Sequence, residues 1–174
     1  MFCKFDSVKD AIDDIRQGKM VVVVDDEDRE NEGDVVMAAN AASGEKINFM
    51  AKYARGLICA PVESSIVKRL NINKMVDKNT EYFGTKFGIS IDASDTTTGI
   101  SAYDRAKTIR KLADKNSKSI DFVRPGHIFP LKAEENGVLK RSGHTEATVD
   151  LARLAGFNPA CGVCCEIMKD DGHM

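Results

Sequence analysis

Seven carboxylates and one arginine lie within ten residues in the segment DDEDRENEGD, which runs from Asp25 to Asp34 and which we call the acidic loop. The apolar runs MVVVV and VVMAA flank this segment, and both are typical of buried strands. So many like charges between two core strands repel one another unless a cation lies among them. The composition therefore predicts a site for a divalent metal or another cation, and Arg29 indicates an anionic ligand as well. The alternative is a solvated, charged hairpin loop without a ligand.

A second segment, Arg141-Ser142-Gly143-His144-Thr145, has the pattern of a glycine turn that leads into a helix. Free N–H groups and the helix dipole favour an anion at such a position, and Arg141 can bind a phosphate through two N–H groups. His144 is suited to metal binding or proton transfer, because the unperturbed pKa of histidine is close to neutrality. An ordinary helix cap is the alternative interpretation.

His127 follows the rigid turn Arg124-Pro125-Gly126, so a second turn also presents a histidine. A structural or solvent-exposed role is the simpler interpretation of a single loop histidine.

The five cysteines are an odd number and predict reduced thiols rather than a disulfide framework. The pattern Cys161-x-x-Cys164 has no partner pair at zinc-ligand spacing, so we expect the cysteines to be small buried hydrophobic residues.

Composition and length limit the class of protein. A chain of 174 residues fits one domain with a single core. The net charge of −2, without a dense basic stripe, gives no basis for nucleic-acid binding. The longest apolar runs have the length of strands, so no membrane span is expected. The N-terminal residues form no apolar signal core, which predicts a cytoplasmic protein.

The elements that must position these residues alternate between helix and strand. Helices are expected after the caps Ser7, Ser43 and Ser101, over 64–70, and from the glycine turn at 143 to Gly156. In the helix after Ser7, the side chains expected to face inward are Val8, Ala11, Ile12 and Ile15. Strands are expected at 20–24, 35–39, 57–62, 87–92, 138–140 and 160–168, and the first two should pair. Because the segment 120–133 contains two prolines, we expect it to be an edge strand or a broken strand. Residues 71–85 are polar and should be irregular.

Taken in order, five motifs of the chain resemble the 3,4-dihydroxy-2-butanone 4-phosphate synthase family. These motifs are DDEDRENEGD, GLICAPV, TTTGISAYDRAKTIR, RPGHIFPL and RSGHTEATVDLARLAGF, and the resemblance covers nearly the whole chain. It implies a lyase that converts D-ribulose 5-phosphate into L-3,4-dihydroxy-2-butanone 4-phosphate and formate for riboflavin biosynthesis. It also implies two Mg²⁺ ions as cofactors, with Mn²⁺ as a substitute.

The resemblance assigns roles to individual residues. Glu30 is expected to bridge the two ions, and His144 to bind one of them. Catalytic roles are implied for His127, Glu166, Asp34 and Cys59, with Glu32 as a further candidate base. Contacts with the substrate are implied for Arg29, Glu30, Asp34, Thr98, Arg141, Ser142, Gly143, His144, Thr145 and Glu166.

The fold expected from the resemblance is α+β, with a mixed sheet flanked by helices in three layers and a single domain over 1–174. A homodimer with shared active sites is also expected, so that Glu30→Ala and His144→Ala chains should complement each other. Relatives usually continue past the turn that Asp170-Asp171-Gly172 forms here, and some carry a cyclohydrolase domain. The chain is therefore expected to be C-terminally shortened, or to lack a closing element, and to be monofunctional. Between Pro159 and Glu166 the chain has one residue more than the family pattern PAGVxCE, so a β-bulge that absorbs this residue is expected before Glu166.

Two alternatives remain open. The first is another divalent-metal-dependent phosphosugar isomerase or aldolase, which would consume ribulose 5-phosphate without releasing formate. The second is a non-enzymatic module that binds a basic partner through the acidic loop.

Overall fold

Six strands form one mixed sheet in the computed structural model, which describes residues 5–174. The order across the sheet is β1-β2-β6-β3-β5-β4, in which β3 and β5 are parallel and every other neighbouring pair is antiparallel. The strands are β1 (Val21–Val24), β2 (Gly33–Ala38), β3 (Cys59–Val62), β4 (Ile91–Ala93), β5 (Phe122–Lys132) and β6 (Gly162–Glu166).

Five α-helices connect and cover the strands within the described residues. They are α1 (Val8–Arg16), α2 (Gly44–Phe49), α3 (Ser64–Leu70), α4 (Ala102–Ala113) and α5 (His144–Leu154). The side chains of Ser7, Ser43 and Ser101 accept hydrogen bonds from the backbone N–H groups three residues further on. The three predicted caps are therefore confirmed, and each fixes the first residue of its helix.

Alternation along β2 shows how the layers are built. Val35 and Met37 belong to the core between the sheet and helices α2 and α4, whereas Val36 and Ala38 belong to the core under α1 and α5. Successive side chains of a strand point to opposite faces, so a strand covered on both sides is apolar throughout. The predicted three-layer α+β arrangement is confirmed.

The prediction of a fully buried first strand is wrong. Val22 and Val24 are 61% and 49% exposed, although Val21 and Val23 pack against the core under α1 and α5. The reason is that β1 lies at the edge of the sheet, where helices cover only one face. At the beginning of α1, Val8 is also exposed rather than facing inward.

Of the two alternatives predicted for the proline-containing strand, the edge position is wrong and the broken strand agrees with the structure. β5 lies between β3 and β4, inside the sheet. Its register with β4 shifts between Ile91 and Asp92, which pair with Ile128 and Val123, so Pro125 falls where the ladder is interrupted. The interior strand tolerates this proline because no regular ladder bond is needed there.

Three smaller expectations also fail. The strand expected at 87–92 is limited to Ile91–Ala93, and the one expected at 138–140 is a 3₁₀ turn at Gly137–Leu139. The β-bulge expected before Glu166 is absent from the β2–β6 pair, whose register runs unbroken from Asp34↔Glu166 to Ala38↔Gly162.

Among the cysteines, Cys59, Cys161, Cys164 and Cys165 are buried free thiols, while Cys3 lies outside the described residues. The expectation of small buried residues is confirmed for these four. Within the described chain, every helix is too short or too polar to be a transmembrane span.

Candidate active site and metal centre

The Asp25 side chain organises the acidic loop from within. Its carboxylate accepts hydrogen bonds from the backbone N–H groups of Glu32 (2.9 Å) and Glu30 (3.1 Å) and from Nη1 of Arg29 (2.6 Å). Burial raises the pKa of Asp25, but these three donors outweigh burial and leave the pKa below its usual value. Sequence reasoning gave Asp25 no individual role, although an aspartate at the start of a loop often accepts bonds from the N–H groups that follow.

Two distant segments of the chain meet at Glu30 and His144. Nδ1 of His144 lies 3.3 Å from Oε2 of Glu30 and 3.8 Å from Oδ1 of Asp34. His144 is the first residue of α5, and alternation along β2 turns Asp34 towards the same face of the sheet as Val36, which packs under α5. The sequence prediction that the acidic loop and the glycine turn form one site is therefore supported by direct contacts.

The donor set at this point is suited to a divalent cation. One ligand atom from each of Asp25, Glu30 and His144 lies within 4.8 Å of the others. Asp25 is bonded to three donors, whereas Oε2 of Glu30 is paired with one cation, Nη1 of Arg29 at 2.9 Å, so Glu30 and His144 are the freer ligands. Nε2 of His144 and Oδ1 of Asp34 are both buried without a hydrogen-bond partner among the described residues. Buried polar atoms of this kind require a partner, and a metal ion or its bound water meets that requirement.

Asp34 and Glu166 face each other on adjacent strands. Asp34 is only 3% exposed; burial raises its pKa most, His144 lowers it and Glu166 raises it, and together these effects bring the pKa to about 7. Oε2 of Glu166 accepts a hydrogen bond from the backbone N–H of Leu57 at 2.7 Å. A carboxyl group with a pKa close to neutrality can both accept and release a proton at physiological pH.

Cys59 lies opposite Cys164 on the next strand pair, on the α5 side of the sheet. Burial raises the pKa of the Cys59 thiol far above its ordinary value, and Glu166 and Asp34 add to this effect. Cys59 is therefore a neutral thiol, which is suited to lining a site rather than to nucleophilic attack.

Two arginines converge at the glycine turn. A Cβ atom on Gly143 would lie 2.2 Å from Nη1 of Arg141 and 2.9 Å from Nη2 of Arg29, so a larger residue would displace both side chains. Gly143 is the N-cap of α5 and provides no side-chain cap, which leaves the first N–H groups of the helix open to an anion. Thr145 is buried in the first turn, whereas Ser142 is exposed.

Arg141 is held rigidly by neighbours that sequence reasoning missed. Its guanidinium donates to Oε2 of Glu146 (2.7 Å), to Oγ1 of Thr85 (2.7 Å) and to the carbonyl of Phe83 (3.1 Å). Arg29 lies 5.1 Å from the ring centroid of the same Phe83. The irregular segment 71–85 therefore holds both arginines in place.

Replacing Glu146 with alanine is expected to destabilise the chain by about 3–5 kcal/mol, because a buried ion pair that loses one partner leaves an uncompensated charge. Glu146 is 1% exposed, and its second oxygen accepts the backbone N–H of Glu134 at 3.0 Å. The measurement is the free energy of unfolding in urea. Glu135→Ala, at an exposed position nearby, serves as the control and should change that free energy by no more than about 0.5 kcal/mol. Equal values for the two variants would contradict the prediction.

His127 and Thr98 lie in a different cluster of the same chain. Nδ1 of His127 is 2.7 Å from Oδ2 of Asp92, and Gly99 packs against both His127 and Asp92. Thr98 is exposed and precedes Gly99 in the chain. No hydrogen bond or ion pair of the described residues joins this cluster to Glu166 or to the other residues around His144. Because β3 separates β5 from β6, the backbones of His127 and Glu166 are two strand spacings, about 10 Å, apart across the sheet.

The expected complementation between Glu30→Ala and His144→Ala chains does not follow from this geometry. Both residues belong to one cluster within one chain, where they are 3.3 Å apart. Shared active sites would instead require one residue from each cluster, such as Glu30 and His127.

Comparisons with known proteins show what the chain as a whole is similar to. The family model described as 3,4-dihydroxy-2-butanone 4-phosphate synthase matches residues 9–174. The chain is similar to riboflavin biosynthesis protein RibBA of Aquifex aeolicus, with 62% identity over 174 residues, which is 98% of this chain and 43% of that protein. It is also similar to RibBA of Endomicrobium trichonymphae, with 61% identity over 171 residues, 98% of this chain and 42% of that protein. The chain thus spans less than half the length of these relatives.

Two solved structures share the fold. One is RibBX of A. baumannii, described as a two-domain 3,4-dihydroxy-2-butanone 4-phosphate synthase, with a TM-score of 0.93, 50% identity and coverage of 97% of this chain and 50% of that one. The other is a 3,4-dihydroxy-2-butanone 4-phosphate synthase in complex with two magnesium ions, with a TM-score of 0.93, 45% identity and coverage of 95% of this chain and 77% of that one.

Proposed function

The chain belongs to the 3,4-dihydroxy-2-butanone 4-phosphate synthase family, and we propose that it converts D-ribulose 5-phosphate into L-3,4-dihydroxy-2-butanone 4-phosphate and formate. The observation that carries the proposal is the meeting of Glu30, Asp34 and His144 beside the open N-terminus of α5. The four-carbon product and formic acid together contain all the atoms of the substrate and no others, so no external oxidant or reductant is needed. The names of the relatives support a place for the product in riboflavin biosynthesis.

Glu30 and His144 are the proposed ligands of Mg²⁺, in a site for two ions. Carboxylate oxygens suit this ion, and the nitrogen ligand also suits Mn²⁺ as a substitute. When bound, such an ion acts as a Lewis acid that polarises the substrate carbonyl and makes the neighbouring proton easier to remove. The buried atoms Nε2 of His144 and Oδ1 of Asp34, which lack partners among the described residues, support this assignment.

Asp34 and Glu166 are the proposed proton carriers. Burial raises the pKa of Asp34 when no cation is bound, and a bound cation would favour the ionised form, which can accept a proton from carbon and return it later in the reaction. Burial and Glu30 also raise the pKa of Glu32, which makes Glu32 a further candidate base. Cys59 is proposed to line the site as a neutral thiol.

The substrate phosphate is proposed to bind at the N-terminus of α5. Nη2 of Arg29 and Nη1 of Arg141 both lie beside Gly143, on the side where a Cβ atom would be. The dipole of α5 and its free N–H groups add to the attraction. Ser142, Thr145 and Thr98 are proposed as further contacts with the substrate.

A homodimer is proposed, in which each active site combines the cluster around His144 of one subunit with the cluster around His127 of the other. The separation of these clusters within one chain supports the proposal.

We further propose that residues 1–174 correspond to the synthase domain of the longer relatives. We also propose that the protein works in the cytoplasm, where thiols such as the four buried free cysteines stay reduced.

Proton NMR of ribulose 5-phosphate incubated with the chain and Mg²⁺ tests the reaction. The proposed product contains a methyl ketone, so a methyl signal and a formate signal should grow together as the substrate disappears. A different phosphosugar isomerase or aldolase would consume the substrate without producing formate, and an acidic interaction module would leave it unchanged. Either result would contradict the proposed function.

A further inference from the structure

Both oxygens of the Asp92 side chain are bonded to His127. Oδ1 accepts the backbone N–H of His127 at 2.9 Å, and Oδ2 lies 2.7 Å from Nδ1 of its ring. Asp92 is 5% exposed, so these bonds are shielded from water. They form where the register between β4 and β5 shifts and the regular ladder is interrupted.

This arrangement determines which ring nitrogen of neutral His127 carries the proton. An ionised carboxylate only accepts hydrogen bonds, so Nδ1 must be the donor and Nε2 must be unprotonated. The His127 side chain is 41% exposed, and Nε2 makes no hydrogen bond with the described residues. The ring therefore presents a proton acceptor to the surroundings of the chain.

The neighbouring loop keeps this pair in place. A Cβ atom on Gly99 would lie 2.0 Å from Oδ2 of Asp92 and 2.7 Å from Nδ1 of His127, and the φ angle of Gly99 is +85°, so only glycine fits without strain. Asp104 in turn accepts hydrogen bonds from the hydroxyl of Thr97 (2.6 Å) and from the backbone N–H of Gly99 (3.3 Å). Asp104 therefore fixes the loop, and the loop fixes the Asp92–His127 pair.

We propose that Asp92 is a positioning residue that holds His127 in the Nδ1–H tautomer, so that Nε2 acts as a proton acceptor in the active site. The inference rests on the proposed function, because that function gives His127 a substrate to act on. If Asp92 only linked β4 to β5, the hydrogen bonds would matter but the tautomer of His127 would not. A positioning role therefore predicts that activity depends on the tautomer.

Asp92→Asn separates these two roles. The amide oxygen can still accept the backbone N–H of His127, while the amide NH₂ group can donate to Nδ1. Both hydrogen bonds are thus kept, but the ring proton moves to Nε2. We expect kcat to fall about 100-fold or more, with KM within about threefold of the wild-type value, because proton transfer is lost and substrate binding is not. Asp95→Asn is the matched control, since Asp95 lies on the same segment but pairs with Lys107 and Lys111 at the surface.

Nitrogen-15 NMR of the ring nitrogens provides a readout that does not depend on activity. The chain contains three histidines, so His144→Gln and His173→Gln variants assign the His127 signals. Wild-type His127 should show a protonated Nδ1 and an unprotonated Nε2, and Asp92→Asn should reverse this pattern.

An Nε2–H tautomer in the wild-type chain, or full kcat in a folded Asp92→Asn variant with the reversed tautomer, would overturn the inference. If Asp92→Asn does not fold, the wild-type tautomer still decides the assignment of Nδ1. A wild-type chain that forms no methyl ketone would overturn the proposed function instead. The nitrogen-15 NMR spectrum would still show the tautomer of His127, because that measurement needs no turnover.

Discussion

Mixing Glu30→Ala chains with His127→Ala chains is expected to restore about a quarter of wild-type activity, although each variant alone should be inactive. In a two-fold symmetric dimer with shared sites, the mixed dimer contains one site that has both lesions and one site that has neither. Random exchange of subunits places about half of the chains in mixed dimers, each with one of its two sites intact, which gives the expected fraction. The measurement is the rate of formate release after the two variants are refolded together.

The matched control combines Glu30→Ala with His144→Ala. Because both residues belong to the same cluster of one chain, every site of the mixed dimer carries one of the two lesions. No restoration is expected for this pair. If a purified dimer of Glu30→Ala and His127→Ala chains also stays inactive, each active site is built from a single subunit.

Replacing Glu30 with glutamine is expected to lower the rate of product formation about 1000-fold and to weaken the binding of Mn²⁺. Lewis-acid stabilisation supplies several kcal/mol, and each 1.36 kcal/mol corresponds to a factor of ten in rate. Glu27→Gln is the control, because Glu27 lies in the same loop and is exposed. Electron paramagnetic resonance of free Mn²⁺ and formate release measure the two effects.

The Glu27→Gln variant should keep activity and Mn²⁺ affinity within about threefold of the wild type, as expected for a surface charge that is not a ligand. Equal losses in the two variants would mean that the total charge of the acidic loop, rather than the Glu30 carboxylate, retains the metal. Such a result would contradict the assignment of Glu30 as a ligand.

Local signals in the sequence predicted the elements that position the site. The cap residues Ser7, Ser43 and Ser101 marked the beginnings of three helices, because each side chain accepts a bond from a nearby N–H group. The glycine turn before His144 correctly marked the start of α5. These features depend on neighbouring residues only, so they can be read along the chain.

Features that depend on the order of strands could not be predicted in this way. Val22 and Val24 have the composition of a buried strand, and only the edge position of β1 leaves them exposed. The two prolines of β5 left an edge strand and a broken strand as alternatives, because nothing local shows where the strand lies in the sheet. Strand order results from contacts between distant residues, which hydrophobic periodicity does not encode.

The same limit applies to the candidate site. The resemblance to the family supplied Glu30, Asp34 and His144, and the structure brings these residues together. It supplied His127 without its partner Asp92, which is 35 residues away along the chain. Carboxylates that position other groups, rather than contacting a ligand, have no motif of their own and were found only from the geometry.

The most direct test of the central claim is the amount of formate released per ribulose 5-phosphate consumed, measured with Mg²⁺ and again after Mg²⁺ is removed with EDTA. The proposed function predicts one formate per substrate with Mg²⁺, no turnover in EDTA, and recovery when Mg²⁺ is added in excess. Consumption of ribulose 5-phosphate without formate, or no consumption by a correctly folded chain with Mg²⁺, would contradict the claim.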